Sequence, residues 1–126
     1  MATRTITSDN IDATIQENDT VILDFWAEWC GPCKRFGPVF EAASEKFPGV
    51  VFGKVDTEDQ QELAGAFGIQ SIPTLMIFRQ KVLLFSQPGA LPAAAVDDLL
   101  TKVAALDMDE IHRKIAEQSA AEGTES

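Results

Sequence analysis

The chain has 126 residues and a formal net charge of −10, with 10 Lys and Arg against 20 Asp and Glu. That length fits one domain and lets it bury roughly two-thirds of its unfolded surface, which excludes a need for covalent or metal staples. The apolar share of 45% and charged share of 24% exclude a disordered or fibrous chain, and the acidic balance argues against nucleic acid as a partner.

In chain order, short apolar runs alternate with helical spacing. Thr3–Thr7 can form a first strand. Ser8 can cap a helix running to Asn18, with Ile11 and Ile15 four apart on one face. Val21-Ile22-Leu23-Asp24-Phe25-Trp26-Ala27 is nearly continuous in apolar residues, as a strand buried on both faces requires, and Asp24 is its one break. A helix follows from about Cys30 to Phe47, with Phe36, Val39, Phe40 and Ala43 as its apolar stripe. Pro38 is expected to kink it by removing an N–H. Pro48-Gly49 ends that helix, and Val50–Asp56 reads as a strand. Thr57 or Asp59 can cap the next helix, which Gly68 terminates after Phe67. Thr74–Phe78 and Val82–Phe85 form a hairpin about Gln80-Lys81, a turn without the usual Gly or Asn.

After the Pro88-Gly89 bend, a helix starts near Pro92 and turns Val96, Leu99, Leu100 and Val103 inward. Met108, Ile111 and Ile115 carry an apolar stripe on to about Ser119, as one long helix or two short ones. Ala121–Ser126 is expected to fray. The order β-α-β-α-β-α-β-β-α implies an α/β protein with three layers and a mixed sheet. Residues 1–106 form the domain and 107–126 an acidic helical extension.

Cys30 and Cys33 are the only cysteines, and His112 is the only histidine. A secreted disulfide framework would hold more cysteines, more widely spaced. A structural zinc site needs four ligands, so no metal centre is expected. A lone C-x-x-C pair reads as a redox couple. A buried strand ends, Glu28-Trp29 makes a short turn, and Cys30 lands at a helix start, where unpaired N–H groups and the helix dipole favour an anion. Cys30 is therefore the expected attacking thiol. Cys33, one turn further in, is expected to be more buried and to act as the resolving thiol. Gly31 lets the turn form, and Pro32 sits where a missing N–H costs little. Asp24, a carboxylate inside an apolar strand, is expected to have a raised pKa from desolvation.

Trp29-Cys30-Gly31-Pro32-Cys33-Lys34, preceded by Asp24-Phe25-Trp26-Ala27 and joined by Ile72-Pro73-Thr74 and Gly89, resembles the thioredoxin family over about residues 3–106. The resemblance implies the three-layer α/β/α thioredoxin-like fold and a protein-disulfide reductase. In it Cys30 attacks, Cys33 resolves, and Asp24 takes the resolving thiol's proton with help from water. The resemblance also implies a cis Ile72–Pro73 bond, which exposes the Ile72 backbone beside Cys30 to an extended substrate chain. Trp29 and Gly89 would line the same contact surface. Lys54 resembles the lysine that approaches the buried Asp, and it would tune the site together with Gly31, Pro32 and Trp26. No resident cofactor is implied. By resemblance, a flavoprotein thioredoxin reductase drawing on NADPH restores the dithiol, so that reductase and protein disulfides are the expected partners.

Two competing readings are weaker. An oxidase or isomerase is disfavoured by Gly31-Pro32 between the cysteines and by a start without a signal sequence. A non-enzymatic binding module would leave the cysteine pair idle. The chain departs from the family pattern in four places: the Arg79-Gln80-Lys81-Val82 turn, the lack of tyrosine, Gly37 beside Pro38, and residues 107–126. That extension holds six acidic and two basic residues, and its apolar stripe is too thin for a membrane anchor. It is read as a helix packed on the domain's own surface, with a docking segment as the alternative and His112 solvated. The expected state is a monomer in the cytoplasm, away from membranes.

Overall fold

The computed structural model describes residues 2–125, with side chains as far as residue 120. The elements run β1 (Thr3–Thr5), α1 (Ile11–Glu17), β2 (Thr20–Trp26), α2 (Gly31–Lys46), β3 (Val51–Asp56), α3 (Gln61–Ala66), β4 (Thr74–Arg79), β5 (Val82–Pro88), α4 (Ala93–Ala104) and α5 (Met108–Glu125). The strands form one sheet in the order β1-β3-β2-β4-β5. β1, β3 and β2 are parallel, while β4 runs antiparallel to β2, and β5 to β4.

β2 is the middle strand, and its alternating side chains feed two cores. Val21, Leu23 and Phe25 join Ile11 of α1 and Leu63 of α3 on one face. Ile22 joins Phe36, Phe40 and Ala43 of α2, and Val96, Leu100 and Val103 of α4, on the other. The result is the expected α/β/α sandwich on a mixed sheet. Asp24 shares the parity of Ile22 and so lies on the α2 face. In β3, Gly53 shares the parity of Val51 and Val55. A Cβ there would stand 2.9 Å from Leu23 Cδ2 and closer still to Ile6.

Several boundaries differ from the sequence reading, those at Ser8 and Thr57 through contacts with residues far along the chain. Ser8 does not cap α1: its N–H and hydroxyl donate to Gln60 Oε1, and the helix starts after Asn10. Thr57 and Asp59 do not cap α3. The Thr57 N–H and hydroxyl both donate to the Trp26 carbonyl, and the Asp56 carboxylate accepts the Glu58 and Asp59 N–H groups, so α3 begins only after Gln60. α2 runs through Pro38 as one helix. Gly68 has φ +69, the left-handed conformation in which a glycine stops a helix. Leu99 is half-buried rather than inward like Val96, Leu100 and Val103.

Gln80 and Lys81 make a two-residue hairpin turn with φ of 50° and 70°, a turn that usually takes Asn and Gly. The Gln80 N–H donates to the Asp19 carbonyl at 2.8 Å, which supports this conformation from outside the hairpin. β5 extends to Pro88 and its register with β4 shifts between Ile77 and Phe78.

The C-terminal stripe is two helices. The Arg79 guanidinium Nη1 donates to the carbonyls of Val103, Ala104 and Leu106 at 2.8, 3.3 and 3.2 Å, closing α4. The Asp107 carboxylate then accepts the Glu110 N–H and opens α5. Met108 is buried and Ile111 half-buried, but Ile115 is exposed, so only the first turns of α5 pack on the domain. His112 is not merely solvated, because its Nε2 bonds Gln80 Oε1 at 2.9 Å. Helix α5 continues past Ser119 to Glu125, so residues 121–125 are helical where fraying was expected, and Ser126 lies outside the described residues.

Gly53→Ala is expected to destabilise the protein by about 1–3 kcal/mol through overpacking against Ile6 and Leu23. Urea unfolding should show a lower midpoint with an unchanged slope.

Candidate active site

β2 delivers the chain to the sheet end, and a short turn hands it to α2. Cys30 takes the residue before the first helical turn in an extended conformation, φ −86° and ψ 110°. Its Sγ accepts the Cys33 N–H at 3.2 Å, satisfying one of the free donors of the helix start. Pro32, in the first turn, has no N–H to leave unpaired. Cys30 and Cys33 are joined as a disulfide with their Cα atoms 5.2 Å apart.

Cys33 is not the more buried of the two. Each cysteine is 4% exposed, because in the oxidised form both sulfurs share one cluster with Ala27 under Trp26 and Ile72. What separates them is position: Cys30 caps the helix, and its sulfur lies 3.8 Å from the Ile72 carbonyl oxygen.

The Ile72–Pro73 bond is cis. The Gly89 N–H donates to the Pro73 carbonyl at 2.8 Å, tying the bend after β5 to this loop. Gly89 has φ +109, a conformation that side chains disfavour, so the bend requires glycine. Trp29 is 69% exposed, and its indole N–H donates to the Glu58 carboxylate. Between Trp29 and α3 opens a groove of about 460 Å³, lined also by Thr57, Gln61, Ala64, Gly65 and Ile69–Ile72. Glu58 and this wall of α3 were absent from the sequence reading. The available signal was the Asp56-Thr57-Glu58-Asp59 run, which leaves β3 at the same sheet end as Trp29 leaves β2.

Asp24 is 1% exposed, and neither carboxylate oxygen has a hydrogen-bond partner in the protein. Burial pushes its pKa up to about 7, against a downward pull from Lys54. Lys54 pairs with Asp24 in the parallel β2–β3 register. Its ammonium nevertheless sits over the Trp26 ring, 4.8 Å from the centroid, a cation–π contact. The structure therefore places Cys30, Cys33, Gly31, Pro32, Trp29, Ile72 and Pro73 at the disulfide, with Gly89 tied to that loop. Asp24, Trp26 and Lys54 lie behind it on β2 and β3.

The thioredoxin family profile matches residues 2–105. The chain belongs to the thioredoxin family. A Streptomyces coelicolor protein carrying a thioredoxin 2 name is 59% identical over 118 residues, covering 94% of this chain and 88% of the relative. A match that long in 126 residues necessarily runs into the segment after residue 106. A thioredoxin from Mycoplasma pneumoniae is 40% identical over 68% of this chain and 83% of its own. Among solved structures, oxidised thioredoxin from Plasmodium falciparum superposes with a TM-score of 0.72 at 36% identity, covering 82% of this chain and 99% of that one. Malassezia sympodialis thioredoxin gives 0.72 at 33% identity over 79% and 89%. Like its family, the chain is a thiol–disulfide oxidoreductase, with Cys30 and Cys33 as the redox pair.

The buried acid makes stability depend on pH. Between pH 3.8 and about 7, Asp24 is protonated in the folded chain and ionised in the unfolded one, so folding takes up a proton. Stability therefore falls as pH rises through that window and levels off above it. Asp24→Asn is expected to remove this slope and to stabilise the protein at pH 8 by a few kcal/mol, at most about 4. Urea midpoints of both proteins between pH 4 and 8 would measure it.

Proposed function

We propose that the chain reduces protein disulfides, with Cys30 as nucleophile, Cys33 as resolving thiol and Asp24 as the base for Cys33. The observation that carries this reading is the Cys30 sulfur, which caps α2 and faces the Ile72 backbone beside an open groove. In the reduced state, the helix start favours the Cys30 thiolate over the thiol. An extended substrate segment pairs with the Ile72 backbone while its side chains meet Trp29 and the bend at Gly89. Cys30 attacks the nearer substrate sulfur, and the other leaves as a thiolate. Cys33 then displaces the substrate and restores the disulfide.

Asp24 can serve as base because burial holds its pKa near neutral, where a carboxylate both takes and returns a proton. Lys54, Trp26, Gly31 and Pro32 tune the pair. The chain holds no cofactor of its own in this reading: a flavoprotein thioredoxin reductase passes it electrons from NADPH. It works as a monomer in the cytoplasm. Among the described residues no helix is long and apolar enough to cross a membrane.

Cys30→Ser should abolish NADPH-coupled reduction of a disulfide-bonded test protein. Cys33→Ser should instead accumulate a substrate-linked mixed disulfide, visible by mass spectrometry. The Cys30–Cys33 couple should equilibrate with a thiol buffer at about −270 mV, the thioredoxin figure. A value of roughly −180 mV or higher would favour an oxidase or isomerase, and failure to form a reversible disulfide would favour a binding module.

A further inference from the structure

Helix α2 carries its first charges against its own dipole. Its first turn holds no acidic residue, and Lys34 and Arg35 follow Cys33 directly, near the free N–H groups that already make a helix start positive. Lys46, in the last turn, sits where the dipole favours it and pairs with Asp97 at 3.0 Å. Arg79, Lys102, Arg113 and Lys114 also have carboxylate partners, and Lys54 lies over Trp26. Arg35 makes neither an ion pair nor a hydrogen bond among the described residues, in a chain with 20 acids to 10 bases. Arg35 and Gly31 are four apart and share one helix face, and long helical side chains lean toward the N-terminus. The Arg35 Nη1 accordingly stands 3.7 Å from the place a Cβ on Gly31 would take. Gly31 directly follows Cys30 and is exposed, as are Pro32 and Arg35. Trp29, on the other side of Cys30, is bonded instead to the Glu58 carboxylate. α2 packs on one face of the sheet, and α3, which follows Glu58, on the other. The redox turn thus has an open cation toward α2 and a carboxylate toward α3.

We propose that Arg35 is a specificity-determining residue: its guanidinium, held over Gly31, receives a carboxylate that neighbours the substrate disulfide, so acidic cystine segments are reduced faster than neutral ones. This rests on the reading of Cys30 as the thiol that attacks protein disulfides. The fixed charge and planar fork of a guanidinium suit a carboxylate, and the N–H groups of the helix start add to the same field. Arg35 itself makes and breaks no bond. The Cys30 thiolate bonds to the nearer substrate sulfur, the substrate S–S bond breaks, and the other sulfur leaves with the bonding pair as a thiolate. Glu58 repels negative charge on the α3 side, so an acidic residue of the substrate lies on the α2 side, over Arg35. Because Arg35 is exposed, water and salt screen it, and its effect is a modest one on rate rather than a condition for reaction.

Arg35→Met keeps a long side chain and removes its charge. Stopped-flow reaction of the reduced protein with anionic dithiobis(nitrobenzoate) and with neutral dithiodipyridine gives two rates of attack by Cys30, and their ratio reports charge selection. Arg35→Met should lower the ratio of the anionic to the neutral rate about three- to tenfold at low salt. The ratio of the unsubstituted protein should fall toward that of the variant as salt rises to about 1 M, where charges are screened within about 3 Å. Lys81→Met removes one positive charge from the hairpin turn beyond the far end of β4, and should leave the ratio as it was. An equal drop in Lys81→Met would mean that net charge alone is at work, and would overturn the inference. A ratio unchanged by Arg35→Met overturns it too, whether both rates hold or both fall together, since a cation acting on the Cys30 thiolate speeds every disulfide alike. Cys30→Ser tests the underlying reading separately. If that variant reacts with both probes at the unsubstituted rate, Cys30 is not the attacking thiol, and the inference falls with it.

Discussion

Desolvation of Asp24 is the constraint around which the site is arranged. The carboxyl sits on the middle strand, on the face that α2 covers, with no hydrogen bond from the protein. In water it would ionise near pH 3.8; here the charged form is held off until about 7. The strand that carries it also ends at the turn that starts α2, so one segment fixes both the acid and the helix start that caps on Cys30. An apolar residue at this position would pack more stably. The fold keeps the acid at the cost of stability above neutral pH, and gains a group able to exchange a proton where the thiols work.

The parts that were legible in the sequence carry their instructions locally. The apolar run around β2, the glycine at 68 and the bend at Pro88-Gly89 each dictate backbone by composition or conformation alone. The place of Cys30 at a helix start and the burial of Asp24 were legible for the same reason, since the local sequence suffices to set both. The cis Ile72–Pro73 bond was legible only through family resemblance. What stayed hidden depends on distant partners. Ser8 is drawn to Gln60, Thr57 to the Trp26 carbonyl, and Trp29 to Glu58. The equal burial of the two cysteines follows from the covering Trp26 and Ile72, which spacing within the motif cannot reveal.

The break between α4 and α5 was undecidable from apolar spacing because nothing in residues 104–107 opposes a continuous helix by itself. Arg79 decides it from another element. Its guanidinium is the donor for three carbonyls at the end of α4, and its Nε pairs with Asp19 at 3.2 Å. Four acceptors met by Nη1 and Nε of one rigid fork suit an arginine and no other side chain. Gln80 joins the same cluster by donating to the Asp19 carboxylate and accepting from His112. The hairpin turn, the entry to β2 and the start of α5 are thereby held as one unit.

That unit lies at the end of the sheet remote from the disulfide. Thr20 pairs with Arg79 at one end of β2, whereas Phe25 and Trp26 lead to Cys30 at the other, a strand length of about 20 Å away. A label or support attached to this unit, for example at Lys81 in the hairpin turn, would consequently sit at the back of the molecule. The face that meets disulfides would stay unobstructed, as in a tool whose handle and blade are at opposite ends.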